Sequence, residues 1–387
     1  MKIALALSGG GLRATVFHLG VLARLAKEDQ LENVTYLSTV SGGSLCAGLV
    51  YSLNKFQWPT SQVFLKSVLP AARKLITSKD LKSALIAQIV LNIWDVFDPR
   101  ADELAELLAK YWGVTINLNQ LPESPRWMIN ATCYETGKNW RFERFRMGDY
   151  LFGYTYDTDF PLSSALAASA GFPGLIGALK MNTNNRQWFK YADGRAESLA
   201  IGVGDIQKRT TESIQPAFPF VHLWDGGVYD NQGLEGLYDF DTGWKKDIDF
   251  LIVSDASGRS KPEAYQRGSK ALMRIITGVM MDQIRSLRAR SVLERMRNHK
   301  DRGAYLQIGN SCAEVLKAAR KSGEIGEKCS SCLSPQEANQ AAEMETDIAK
   351  LPEKKFELVF RHGFENADYT LSAFSPDLFE YLGYDLS

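Results

Sequence analysis

Histidine is scarce in this chain, and cysteine is both sparse and odd in number: 387 residues carry four histidines and five cysteines. Five cysteines supply no disulfide framework. Cys46 and Cys133 fall in apolar surroundings and read as buried thiols. Cys312, Cys329 and Cys332 cluster in a polar stretch, but none of His18, His222, His299 and His362 lies near enough to complete a zinc set. Ordinary or loosely redox-active surface thiols are the reading there, with a metal site as its rival, and we expect no cofactor. Charge of either sign is not in excess: Lys+Arg and Asp+Glu number 45 each. Bulk charge therefore predicts no nucleic-acid partner, and attraction to anionic surfaces must come from local patches. No apolar run reaches the roughly eighteen residues of a spanning helix. The apolar start, Ile3 to Leu7, is too short for a secretory signal and runs straight into glycines. We expect a cytoplasmic protein, at most peripheral at a membrane.

What is present suffices for a large core: 45% of residues are hydrophobic and 19 are Phe. Ile3–Leu7 and Val34–Val40 read as buried strands, each followed by a glycine turn and a helical pattern, Leu12 to about Asp29 and Ser44 to Leu53. From about Trp58 to Trp112 the pattern is helical, with Leu85, Ile89 and Ile93 four apart on one face. Residues 126–146 form a predicted hairpin about Thr136-Gly-Lys138. Leu162–Ala170 reads as a helix stopped by Gly171 and Pro173. β-like pieces follow at Trp188–Tyr191 and Leu199–Val203. Phe218–Trp224 and Phe250–Ser254 read as strands ending in Asp225-Gly226-Gly227 and Asp255-Ala-Ser-Gly258. A long helix, about Glu263 to Asn298, carries an apolar stripe (Leu272, Ile275, Ile276, Val279, Ile284, Leu287, Leu293). Its opposite side is rich in arginine, read as mostly a solvated face with anionic headgroups as the rival reading. Ala304–Ile308 and Phe356–Phe360 read as late strands. Strands alternating with helices argue for a mixed, largely parallel α/β sheet.

Three glycine turns carry the candidate chemistry. Ser41 sits on a strand–helix turn, Val40-Ser-Gly-Gly-Ser44, of the kind that exposes a nucleophile, although Thr39 stands where the usual elbow has glycine. On that motif alone a structural Ser-Gly turn is the equal reading. Gly9-Gly10-Gly11 lacks both the lysine of a phosphate loop and the spacing of a dinucleotide loop. Its amides and the following helix N-terminus can hold an anion. Arg13 lies in that helix's first turn, against the dipole preference, which points to an anionic partner such as a lipid phosphate, or to a structural salt bridge. A serine nucleophile needs a base. Of the histidines only His362, after a late strand, is a triad candidate. Asp225, at the mouth of a strand, is the better base, unless it simply caps a turn.

Together, Ser8-Gly-Gly-Gly-Leu-Arg13, Val40-Ser-Gly-Gly-Ser44 and Asp225-Gly-Gly227, in that order, resemble the patatin-like phospholipases, related to the cytosolic phospholipase A group. Ala167-Ala-Ser-Ala-Gly-Phe-Pro173 is similar to the family's Ala/Ser-rich block. The resemblance covers about residues 1–260. It implies a three-layer α/β fold, a largely parallel sheet flanked by helices. The expected organisation is one domain over 1–387, with a helical insertion at about 58–112 and a polar cysteine-containing insertion at about 298–351. It implies a lipid acyl hydrolase with Ser41 as nucleophile, Asp225 as base, the backbone of Gly9, Gly10 and Gly11 as oxyanion hole, and Arg13 at substrate phosphate or bracing the loop. The implied substrate is a phospholipid or lysophospholipid met at a membrane surface. The stretch 58–112 is then a candidate lid or acyl-binding wall. An acyltransferase or neutral-lipid lipase using the same dyad, and a non-catalytic lipid- or anion-binding module, are the alternatives.

Overall fold

Ile3–Leu7 is apolar without alternation and fully buried, as a strand covered on both faces should be. It is β1 of a computed structural model that describes residues 1–91, 101–174, 176–191, 211–245, 247–258, 262–300, 302–319 and 329–385. The other strands, in chain order, are β2 (Val34–Val40), β3 (Arg126–Cys133), β4 (Lys138–Phe142), β5 (Met147–Asp149), β6 (Gly153–Thr155), β7 (Leu179–Asn182), β8 (Trp188–Tyr191) and β9 (Thr211–Ile214). They continue with β10 (Phe220–Asp225), β11 (Tyr238–Asp239), β12 (Gly243–Trp244), β13 (Phe250–Asp255) and β14 (Gly303–Gln307). The large sheet runs β14-β13-β1-β2-β3-β4-β5-β6-β8-β9, and β10 joins β3 to β7. From β14 to β3 every pairing is parallel; from β3 onward it is antiparallel. The parallel half therefore opens all its carboxyl ends on one edge, where α/β sheets carry their sites.

Register brings β10 to that edge. Val40 pairs with Asn130 of β3, and the next β3 residue, Ala131, pairs with Asp225. Strands β2 and β10 thus approach β3 from opposite directions and end head to head. Residues 41 and 225 become neighbours through backbone pairing alone.

Helices cover both faces. The central one, α1 (Gly11–Ala26), is buried along its whole length. It is followed by α2 (Gly42–Leu53), α3 (Ser61–Val63), α4 (Leu69–Ser78), α5 (Leu81–Leu91), α6 (Ala101–Trp112) and α7 (Leu162–Ser169). Residues 58–112 are accordingly helical where described. Leu85 of the expected stripe is buried, whereas the side chain of Ile89 and all of Ile93 fall outside the described residues. So does Leu199–Val203.

Three expectations change. Phe356–Phe360 is not a strand but the start of the helix Glu353–Phe374, whose Phe356, Val359, Phe360, Phe364, Ala367 and Leu371 recur at three and four and are buried. His362 lies inside that helix, and its Nε2 accepts the Gly309 N–H at 2.8 Å, so it is no triad histidine. The cysteines do include a bridge: Cys312 is disulfide-bonded, while Cys46, Cys133 and Cys332 are free. Among the described residues no group of three metal-ligating side chains converges.

The third change concerns the long arginine-rich helix. It begins at Ser269, not near 263, and runs as Ser269–Met273, a π-helical stretch Arg274–Met280, and Met281–Asn298. Its polarity is inverted. Leu272, Ile275, Ile276, Val279 and Leu287 are exposed. Arg285 instead turns inward to the buried Asp255, at 3.2 Å, and Arg288 to the buried Asp230, at 3.5 Å.

Candidate active site

The parallel edge supplies three turns around one cavity of about 620 Å³. Gly10 and Gly11 after β1, Ser41 after β2 and Asp225 after β10 all line it. Ser41 has φ 49° and ψ −117°, a conformation that non-glycine residues rarely adopt. Such strain in a sharp strand–helix turn projects the side chain into the cavity mouth. The turn needs close neighbours without side chains: a Cβ on Gly42 would lie 2.3 Å from the Gly11 carbonyl oxygen. A Cβ on Gly11, at φ 61°, would lie 2.4 Å from the Asp347 carbonyl oxygen. The serine turn and the glycine loop are therefore packed backbone to backbone.

Asp225 is 2% exposed. Its Oδ1 accepts the Gly227 N–H at 2.7 Å. Its Oδ2 is buried with no hydrogen-bond partner among the described residues, and the Ser41 hydroxyl acts on the carboxyl as a whole. Burial pushes the carboxyl up to about 7, against the opposing pull of the Gly227 N–H and of Ser41. A carboxyl poised near neutrality beside a hydroxyl can exchange a proton with it. No histidine lines the cavity among the described residues. His222 pairs with Glu135 at 2.6 Å, far along β10. His18 is buried under the glycine loop: Nε2–H donates to the Ser8 carbonyl at 2.9 Å, so Nδ1 accepts from the Ser254 hydroxyl at 2.8 Å. Burial drives His18 down to about 4 and keeps it neutral.

The glycine amides are not equivalent. Gly9 N–H donates to the Asn231 carbonyl at 3.0 Å and Leu12 N–H to that of Asp347 at 2.8 Å. The amides of Gly10 and Gly11, between them, make no hydrogen bond among the described residues and border the cavity. Arg13 also borders it, but its guanidinium donates to three main-chain carbonyls, those of Ala256, Ala342 and Met344. Burial lowers it to about 10, although Asp255 opposes. In this geometry Arg13 ties the glycine loop to two flanking segments.

Sequence reasoning missed the side chains that fix the two turns. Ser169, in the Ala/Ser-rich block, accepts the Ser41 N–H at 3.0 Å, and its carbonyl accepts the Gly226 N–H. The Gly171 carbonyl accepts the Asp225 N–H at 3.1 Å. One short segment thus holds both the Ser41 turn and the Asp225 turn. Thr39 belongs to the same bracing. Trp127 Nε1–H donates to Thr39 Oγ1, Thr39 to Ser44, Ser44 to Ser169 and Ser169 to the Asn130 carbonyl, at 2.9, 2.8, 2.8 and 2.6 Å. The donor at one end and the carbonyl at the other set the direction of the chain. Among the described residues no side chain from 58–112 lines the cavity, and walls come from residues 263–285 and 342–348; residues 92–100 of the expected lid lie outside the described residues.

A serine on a strained turn, a buried carboxyl and free loop amides at the carboxyl edge of a parallel sheet define a hydrolase-like α/β protein. The sequence profile of the patatin-like phospholipases matches residues 5–238, and the chain belongs to that family of lipid acyl hydrolases. Its fold is similar to that of human GIVD cytosolic phospholipase A2, with a TM-score of 0.50 and 13% identity. That match covers 96% of this chain but 59% of the other, so the chain spans about three fifths of that protein's length. VipD from Legionella pneumophila aligns at 11% identity with a TM-score of 0.32, over 95% of this chain and 66% of that one. No curated protein matches by sequence.

Proposed function

We propose that the protein cleaves fatty-acyl ester bonds of phospholipids or lysophospholipids through an acyl-Ser41 intermediate. Asp225 Oδ2 takes the Ser41 hydroxyl proton as Oγ attacks the ester carbonyl. The oxyanion that forms is received by the amides of Gly10 and Gly11, at the dipole-positive start of α1. Collapse expels the lysophospholipid or glycerophosphodiester alkoxide, which recovers the proton from Asp225. Water, deprotonated by the same carboxylate, then releases the fatty acid and restores Ser41. Gly9, with its amide committed to Asn231, shapes the loop, and Arg13 braces it.

The observation that carries this reading is that the strained Ser41 lines the same cavity as Asp225, whose buried carboxyl keeps one oxygen without a hydrogen-bond partner among the described residues. A fluorophosphonate probe followed by peptide mass spectrometry tests it. Ser41 should be the labelled residue, and Ser41→Ala and Asp225→Ala should each release no fatty acid from a lipid mixture while keeping the wild-type circular dichroism. Full acyl release by either variant would overturn the dyad.

A further inference from the structure

The helix over 269–298 turns Arg285 and Arg288 inward, leaves Lys270, Arg290 and Arg297 exposed, and carries much of its apolar side outward. Met281–Asn298 buries Val292 alone, and the two preceding segments bury no residue. Leu272, Ile275, Ile276, Val279 and Met280 are exposed, Leu272 by 59% and Val279 by 57%. Their spacing of three and four places them on one ridge. Contiguous apolar surface of this kind marks a contact with a protein or a membrane.

Three observations select the occupant. The adjoining face of the same helix carries Met273, Thr277 and Met281, which line the cavity above Ser41, so the ridge is the cavity's rim. Whatever seats on it lies at the mouth of the candidate active site. From Arg267 to Met281 the chain has Arg267, Lys270 and Arg274 and no acidic residue; Arg274 is paired with Glu263 at 3.3 Å, while Arg267 and Lys270 are exposed. An apolar ridge flanked by cations suits an anionic lipid interface. A second copy would instead bring the same cations together across a two-fold axis. Finally, Arg285 and Arg288 fix the roll of the helix through Asp255 and Asp230, so the ridge faces outward before any ligand arrives.

We propose that the Leu272–Met280 ridge is the lipid-docking surface of this protein. It enters an anionic bilayer interface and sets the cavity mouth against the acyl chains. The choice of lipid as occupant rests on the reading of the protein as a lipid acyl hydrolase.

The test uses the full chain carrying Ser41→Ala, to prevent turnover, and flotation with vesicles of equimolar phosphatidylcholine and phosphatidylglycerol. The protein should float with these vesicles, and less as salt is raised. Adding L272S, I276S and V279S should reduce the bound fraction at least about tenfold without lowering the melting temperature, because the three side chains are exposed. With Ser41 restored, the triple variant should hydrolyse a monomeric short-chain ester at the wild-type rate and lose hydrolysis of vesicle phospholipid. Undiminished flotation of the triple variant would overturn the proposal. So would a wild-type dimer in sedimentation that the triple variant dissolves, which would assign the ridge to a second copy. Ridge-dependent flotation with neither ester hydrolysed would sustain the docking surface and overturn the hydrolase reading instead.

Discussion

Burial sets what Asp225 can do. Its carboxyl titrates near 7, so a base at this position is ionised only above neutrality. We expect kcat/KM for a soluble ester to rise tenfold per pH unit on the acid side and to level off near pH 7. An acid limb centred below about pH 5 would remove Asp225 as the base. The same shift has a stability sign. A carboxyl whose folded value lies above its unfolded value of 3.8 holds an extra proton in the folded state between the two. Stability therefore falls as pH rises through that window, and the ionised group costs on the order of 4 kcal/mol above pH 8. Asp225→Asn should unfold at higher urea than the wild type at about pH 8.5, and the two should converge at about pH 4. Thr39 makes a second case. It stands where the elbow motif has glycine, and it is the link between Trp127 and Ser44. Thr39→Val should cost about 1–3 kcal/mol in urea unfolding, by leaving the buried Trp127 N–H without an acceptor, whereas Thr39→Ser should cost little.

At the scale of the element, the serine turn holds Ser41 at positive φ because β2, α2 and the glycine loop over-determine it. Glycine tolerates that conformation and alanine does not. Ser41→Gly should therefore be about 1 kcal/mol more stable than Ser41→Ala, both being inactive, as read by thermal unfolding; equal stabilities would mean the turn is unstrained. The turns were legible in the sequence because each is local: an apolar run, then small residues, then a helical period. Ser41 and Asp225 could be named for that reason, although only the register of β2 and β10 on β3 explains their meeting. What was not legible depends on distant partners. Phe356–Phe360, taken as five residues, has no decisive period; over the whole of Glu353–Phe374 the helical spacing emerges, and α1 is what it covers. The inverted helix could not be read from its stripe. Which side faces the protein is decided by buried acids at 230 and 255, far from it in sequence.

The molecule as a whole hangs that inverted helix on Asp255, at the end of β13. Burial pushes this carboxyl up, but Arg285, with Ser257 and Tyr305, outweighs burial and holds it below the usual carboxylate range. Gln232 approaches the same oxygen at 3.4 Å, and the charge reaches Arg13 and His18 under the glycine loop. One carboxylate thus ties the outer helix to the element that carries the free loop amides. A folded value below the unfolded one means that ionised Asp255 contributes stability above about pH 4 and loses it as pH falls further. Arg285→Ala leaves that carboxylate buried without its counter-charge, which in other buried pairs costs about 3–5 kcal/mol. The loss should be large at pH 7 and shrink towards pH 3, where the carboxyl accepts a proton, and Asp255→Asn added to Arg285→Ala should recover part of it. Hydrogen exchange should show where the loss falls. If the ion pair is what seats the helix, amides of 269–298 should open in Arg285→Ala at pH 7 while those of β1, β2 and α1 stay protected. Uniform loss across the sheet would instead make Asp255 a support of the core rather than the anchor of the outer helix.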